Sequence, residues 1–144
     1  MNAKDLLFGG SFESRPLADM GLALLRLFTG LALAFGHGLG KVQDPSKIIS
    51  ATEKIGFPLP VLFGYAATGA EFFGGLLLAL GLLTRPAAFL VVCVMATAFL
   101  GVHRGDAFKA QELALFYGFA ALAFLLAGGG RYSFDALVRG GRKR

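Results

Sequence analysis

The chain has 144 residues, 56% of them hydrophobic and 16% charged, with a mean hydropathy of +0.67. Soluble domains carry about 25% charged residues, so this composition excludes an ordinary water-soluble domain and indicates an integral membrane protein. The net charge of +5 arises from basic residues that stand singly or in the C-terminal RGGRKR; no basic stripe with interleaved aromatics occurs, which excludes nucleic acid as a partner.

Crossing about 30 Å of hydrocarbon takes roughly 20 apolar residues, and lipid leaves the backbone no partners but its own. Four segments approach that length, at 19–38, 59–83, 86–102 and 112–128. The expected fold is therefore all-α: one membrane domain over 1–144, a four-helix bundle with a basic tail at 139–144.

The first segment, DMGLALLRLFTGLALAFGHG, contains a small-x-small pattern at Ala32-Leu33-Ala34. Acidic residues precede it and Arg26 interrupts its apolar core, so a retained span is expected rather than a cleaved leader. Ionisable groups in hydrocarbon are costly and mark candidate sites. With Arg26 at zero and a step of 100° per residue, Gly30 falls at roughly 40°, His37 at roughly 20° and Lys41 at roughly 60°. All four share one stripe, expected to face the bundle interior.

The end of this segment reads GHGLGK, residues 36–41. A phosphate-binding Walker loop needs glycine where Phe35 stands and Ser or Thr where Val42 stands, and no strand precedes it. The stretch is read instead as the outer end of a membrane helix. The connection that follows, QDPSKIISATEKIGF, has room for a short surface helix.

The second segment opens on FPLP, with proline where missing amide donors do least harm. Glu71 sits near its middle, on a stripe with Gly64, Thr68 and Gly75. These glycines, with Gly30 and Gly74, are expected to let neighbouring backbones approach closely. A carboxylate at that depth needs a partner or a proton, and Arg26 is the expected partner. That pair could lock two helices together or form part of a site.

The turn TRP, residues 84–86, opens the third segment, which carries the single cysteine, Cys93. One cysteine excludes an intramolecular disulfide and a cysteine-only metal site, and a buried inert thiol is expected. The third segment delivers His103 to the membrane face where His37 and Lys41 emerge. Glu112 opens the fourth segment there too, although the helix dipole alone favours an acid in a first turn. A polar cluster of His37, Lys41, His103 and Glu112, with Glu71 and Arg26 below, is the candidate binding site. No pair of ligands at helical spacing supports a metal or a bis-histidine haem. GGGRYS ends the fourth span.

Four spans place both termini on one side. That side carries Lys4, Arg15, Arg85, Arg131, Arg139, Arg142, Lys143 and Arg144; the other carries Lys41, Lys47, Lys54, Arg104 and Lys109. The excess puts both termini in the cytoplasm.

Taken together, LLRLFTGLALAFGHGLGKV, GAEFFGGLLLALGLLTRPAAFL and QELALFYGFAALAFLLAGGGRYSFDALV resemble the DoxX family of small four-helix bacterial membrane proteins. The likeness covers about Leu24 to Leu137. On it, Arg26, Gly30, His37, Gly38 and Lys41 match one motif, and Glu71, Gly74, Gly75, Gly81 and Arg85 a second. Glu112, Gly128, Gly130, Ser133 and Asp135 match a third, whereas His103 has no place in the pattern. The resemblance implies the bacterial inner membrane. It also implies a subunit of a redox complex, since some members look like parts of quinone-linked enzymes.

A quinone head group near His37, Lys41 and Glu112 is the first functional expectation. The chain has no flavin, haem or iron–sulfur motif, so it is not expected to be a complete oxidoreductase, and a partner subunit would carry the electrons. The alternatives are a non-enzymatic membrane scaffold and a small-solute carrier acting as a homo-oligomer.

Overall fold

The computed structural model describes residues 16–140. The basic tail beyond residue 140 and the N-terminal charges Lys4 and Arg15 used in the orientation argument lie outside them. Six helices follow in chain order: α1 (Pro16–Gln43), α2 (Ser46–Lys54), α3 (Pro60–Leu80), α4 (Thr84–Val102), α5 (Phe108–Ala127) and α6 (Phe134–Gly140). Among the described residues there is no strand, and α1, α3, α4 and α5 are each long and apolar enough to cross a membrane. The protein is an all-α integral membrane protein.

The bundle is organised around α3, which packs on α1, α2 and α4, while α4 packs on α5. Glycine sets the closest approach. A methyl group on Gly30 would lie 2.4 Å from the Gly75 carbonyl oxygen, and one on Gly38 would lie 2.7 Å from the Phe72 backbone. The backbones of α1 and α3 therefore touch without intervening side chains, as small residues permit in lipid. These contacts fix an antiparallel register in which Gly30 lies opposite Gly75 and Ala79, and Gly38 opposite Phe72.

The core between the helices is built from Leu33, Leu78, Val91, Met95, Tyr117 and Phe124 with small alanines. Outward-facing Leu24, Phe28, Phe73, Phe119 and Leu126 are exposed, as expected of side chains that meet lipid rather than water.

Neither α1 nor α4 is regular throughout. Ala32–Gly38 in α1 and Ala98–Val102 in α4 wind as π-helix, an insertion that often accompanies functional sites. GHGLGK thus lies inside α1, which continues to Gln43. The surface helix expected in the long connection is α2, pinned to α3 where the Thr52 hydroxyl lies 2.9 Å from the Pro60 carbonyl oxygen.

The α3–α4 turn has two devices. Gly81, at φ 68°, ends α3 in a Schellman arrangement: its N–H reaches the Leu78 carbonyl, and the Leu82 N–H reaches that of Leu77. Leu83 then takes φ 48°, held there because its N–H and that of Thr84 donate to the Asp135 carboxylate at 2.8 and 2.9 Å. Asp135 is completely buried and so joins the start of α4 to α6.

Candidate functional site

Glu71 does not meet Arg26. The Lys41 ammonium forms the ion pair with the Glu71 carboxylate, whose side chain is only 4% exposed. Arg26 instead donates to the carbonyls of Leu78 (2.6 Å), Ala79 (2.9 Å) and Tyr132 (2.7 Å). The correction follows from register. Packing of Gly30 against Gly75 and Ala79 carries Arg26 to the end of α3, seven residues from Glu71 or roughly 10 Å along the helix. At that end, the guanidinium reaches the Leu78 and Ala79 carbonyls of the last helical turn and the Tyr132 carbonyl of the α5–α6 connection. Arg26 therefore belongs to a structural cluster with Gly81, Ser133 and Asp135.

Lys41 and Glu71 form part of the wall of a cavity of about 790 Å³. From α1 it is also lined by His37. Ile48, Ala51 and Thr52 of α2, with Ile55 just past its end, form its roof, and Ile55 packs against Gly101. Phe63, Ala67 and Ala70 of α3 face Leu90, Cys93 and Thr97 of α4 across it. Asp44, Lys47 and His103 also line it. Glu71 lies 11 residues into α3, so the pair is roughly 16 Å below the start of that helix, about half the hydrocarbon thickness.

Both π segments serve this cavity. The first sends His37 toward α5, where its ring meets the Tyr117 ring edge-on at 5.3 Å between centroids. The second delivers His103, whose Nδ1 lies 3.0 Å from the Asp106 carboxylate. Gln111 holds the intervening loop by donating to the carbonyls of His103 and Asp106.

Of the residues nominated from the sequence, the structure brings His37, Lys41, Glu71 and His103 to one cavity. Arg26 and Glu112 lie apart from it. α5 begins at Phe108, so Glu112 falls on its second turn, on an exposed face that does not line the cavity. Cys93 corrects another expectation: it is exposed, and it lines the cavity rather than being buried in the core.

The packing glycines divide likewise. Gly30 and Gly75 form the α1–α3 crossing, Gly64 accommodates Ile49 of α2, and Gly74 faces Val91 of α4. Asp44 and Lys47 line the cavity although polar residues in a connection give no sign in the sequence of facing one. Among the described residues no group of three His, Cys, Asp or Glu side chains could hold a metal ion.

The arrangement offers a buried acid with a cation beside it, a histidine on the same wall and otherwise apolar lining. Such a site can hold the polar head of an apolar molecule and can exchange protons with it.

Comparison with known proteins places the chain in context. The family model described as DoxX matches residues 21–104. A Haemophilus influenzae protein carrying only the name "Uncharacterized protein" is 32% identical over 122 residues, covering 79% of this chain and 87% of that one. A Bacillus subtilis protein named "Putative oxidoreductase CatD" is 34% identical over 84 residues, covering 58% of this chain and 60% of its own. No solved structure matches the chain.

Proposed function

The chain belongs to the DoxX family, and from that premise we propose that it is a quinone-interacting membrane subunit of a redox complex. The observation that carries this reading is the Lys41–Glu71 pair on the wall of a mainly apolar cavity halfway across the membrane. A quinone would supply a couple of two electrons and two protons. The Lys41 ammonium is placed to donate to an oxygen that gains negative charge, Glu71 can hold a proton, and His37 is a second exchangeable group on the same wall. The oxidoreductase name of the Bacillus subtilis relative agrees with this chemistry.

The sequence carries no flavin, haem or iron–sulfur motif, so in this reading a partner subunit supplies the electron carrier. The cavity lining ends at Glu71 and Leu90, short of the cluster around Arg26, which favours a binding site over a conduit for solutes. In this reading the protein resides in a bacterial inner membrane with both termini in the cytoplasm. With Lys41 engaged inside the bundle, the loop charges of the orientation argument stand at eight against four.

The test is solvent extraction of protein purified with its native lipid, read by the quinone absorption spectrum. Co-extracted quinone near one per chain is expected, with a several-fold loss in Glu71→Gln. Lipid-replete protein without quinone, under conditions that retain quinone on a known binder, argues against the proposal. A C-terminal reporter active only outside the cytoplasm would overturn the orientation.

A further inference from the structure

The cavity has a side as well as a roof. At the depth of Gly74, α3 and α4 are in contact: a methyl group there would meet Val91 at 3.6 Å and the Ala87 carbonyl oxygen at 3.8 Å. Nearer the roof, residues of both helices line the cavity that lies between them. Three of those residues keep substantial accessible surface: Phe63 is 38% exposed, Leu90 is 50% exposed, and Cys93 is exposed. All three lie within spanning helices, so an opening between them faces lipid. Above, α2 covers the water-facing end, with Ile55 against Gly101 and Ile49 against Gly64.

We infer that the α3–α4 cleft is a lateral portal, and that the ligand of the Lys41–Glu71 pair is a bilayer-resident amphiphile entering through it. The polar head rests at Lys41, Glu71 and His37, and the apolar chain leaves past Leu90 and Cys93 into the membrane. The charges lie on the inner wall and the apolar residues at the cleft, so a molecule with both ends is matched where a wholly polar solute is not. The inference rests on the quinone reading for the head group but adds the tail and the route.

The chain contains no tryptophan, so Leu90→Trp supplies a single fluorophore at the cleft. Phe119→Trp, on a lipid-facing position that does not line the cavity, is the control. Both variants are reconstituted in liposomes. Each is titrated with a decyl-substituted benzoquinone, the same ring without its alkyl chain, and a brominated fatty acid. Expected is saturable quenching in the Leu90→Trp variant, at least threefold stronger for the decyl quinone than for the tailless ring, against linear quenching in the Phe119→Trp control. Equal saturation by the tailless ring keeps the quinone reading and overturns the portal. Saturation by the fatty acid alone keeps the portal and removes the quinone. Linear quenching of the cleft fluorophore by every probe overturns both. A bimane on Cys93 of the unsubstituted chain is the second reporter and must give the same order.

Discussion

Lys41 and Glu71, thirty residues apart in sequence, form an ion pair in the middle of the bundle, with the carboxylate nearly buried and the ammonium partly open to the cavity. Removing one member of a buried pair leaves a charge in a medium that disfavours it, at a cost of about 3 to 5 kcal/mol. Lys41→Met should lower stability by about that much, because it strands the buried carboxylate, and Glu71→Gln by less, because the ammonium left behind is 29% exposed and stays partly solvated. The Lys41→Met, Glu71→Leu double variant should recover most of the loss. Unfolding in mixed detergent measures all three. Full recovery of stability with quinone binding abolished would assign the pair to the ligand. Recovery with binding retained would make it a packing device.

Arg26 should behave independently of that pair. It donates to three carbonyls at the other end of α3, and charge-assisted hydrogen bonds are worth about 1.5 to 3 kcal/mol each. Arg26→Gln should therefore destabilise by at least about 3 kcal/mol. Combined with Glu71→Gln the losses should add, since the sites are roughly 10 Å apart along α3 and share no partner. A non-additive cycle measured by the same unfolding assay would show the two charges to be coupled after all.

Glycine substitutions should separate sharply along the helices. Gly30→Ala drives a methyl into the Gly75 carbonyl and the Ala79 backbone, so α1 and α3 must part. A loss of more than about 2 kcal/mol is expected, at the upper end for overpacking because backbone cannot move aside as a side chain does. Gly69→Ala meets nothing within 4 Å and sits inside α3, where alanine is favoured by about 0.8 to 1.0 kcal/mol. Paired thermal melts of the two variants should move in opposite directions.

Asp44 gives a weak but signed dependence on pH. The Ser46 hydroxyl and then the Ser46 backbone N–H hold this carboxylate below its ordinary value of 3.8. Its contribution is fully present above pH 3.8 and is lost as pH falls through the lower, folded value. At neutral pH the start of α2 should therefore keep its structure, and Asp44→Asn should remove the acid-side change. Hydrogen exchange of the α2 amides across acid pH would measure it.

Much of this fold follows from patterns along single helices. The spans follow from unbroken apolar runs, α2 from the polar connection that separates the first two, and the close crossing of α1 and α3 from glycines on one stripe. Lys41 does lie on the same α3-facing side as Arg26 and Gly30. What periodicity cannot supply is depth: it places Arg26 and Glu71 on facing sides without saying that packing slides them seven residues apart. It also assumes constant helical rotation, which the π segment interrupts, so His37 turns from α3 toward Tyr117 of α5. Glu112 shows a third limit, because a hydrophobic run marks the apolar stretch and not the helix start. α5 begins four residues earlier, at Phe108, and carries Glu112 onto an outer face. Cys93 was legible as a membrane residue, but its place beside a cavity depends on how α3 and α4 pack.

Asp135 and Leu83 provide a final prediction, about how the start of α4 is held to the end of the chain. Leu83 is the one non-glycine residue with positive φ among those described, and its N–H is taken by a buried carboxylate 52 residues away. A left-handed conformation costs an L-residue about 1 to 2 kcal/mol, so the two hydrogen bonds to Asp135 must outweigh that cost. Asp135→Ala removes both acceptors and leaves two amides unpaired at the start of α4, with an expected loss of about 3 kcal/mol or more. Asp135→Asn keeps one acceptor oxygen and should lose less. Leu83→Gly relieves the strain while giving up a half-exposed side chain, so its effect should be within about 1 kcal/mol of neutral. The ordering Asp135→Ala, then Asp135→Asn, then Leu83→Gly in thermal unfolding would establish the carboxylate as the clasp. An equally large loss from Leu83→Gly would place the stabilisation in the leucine side chain instead.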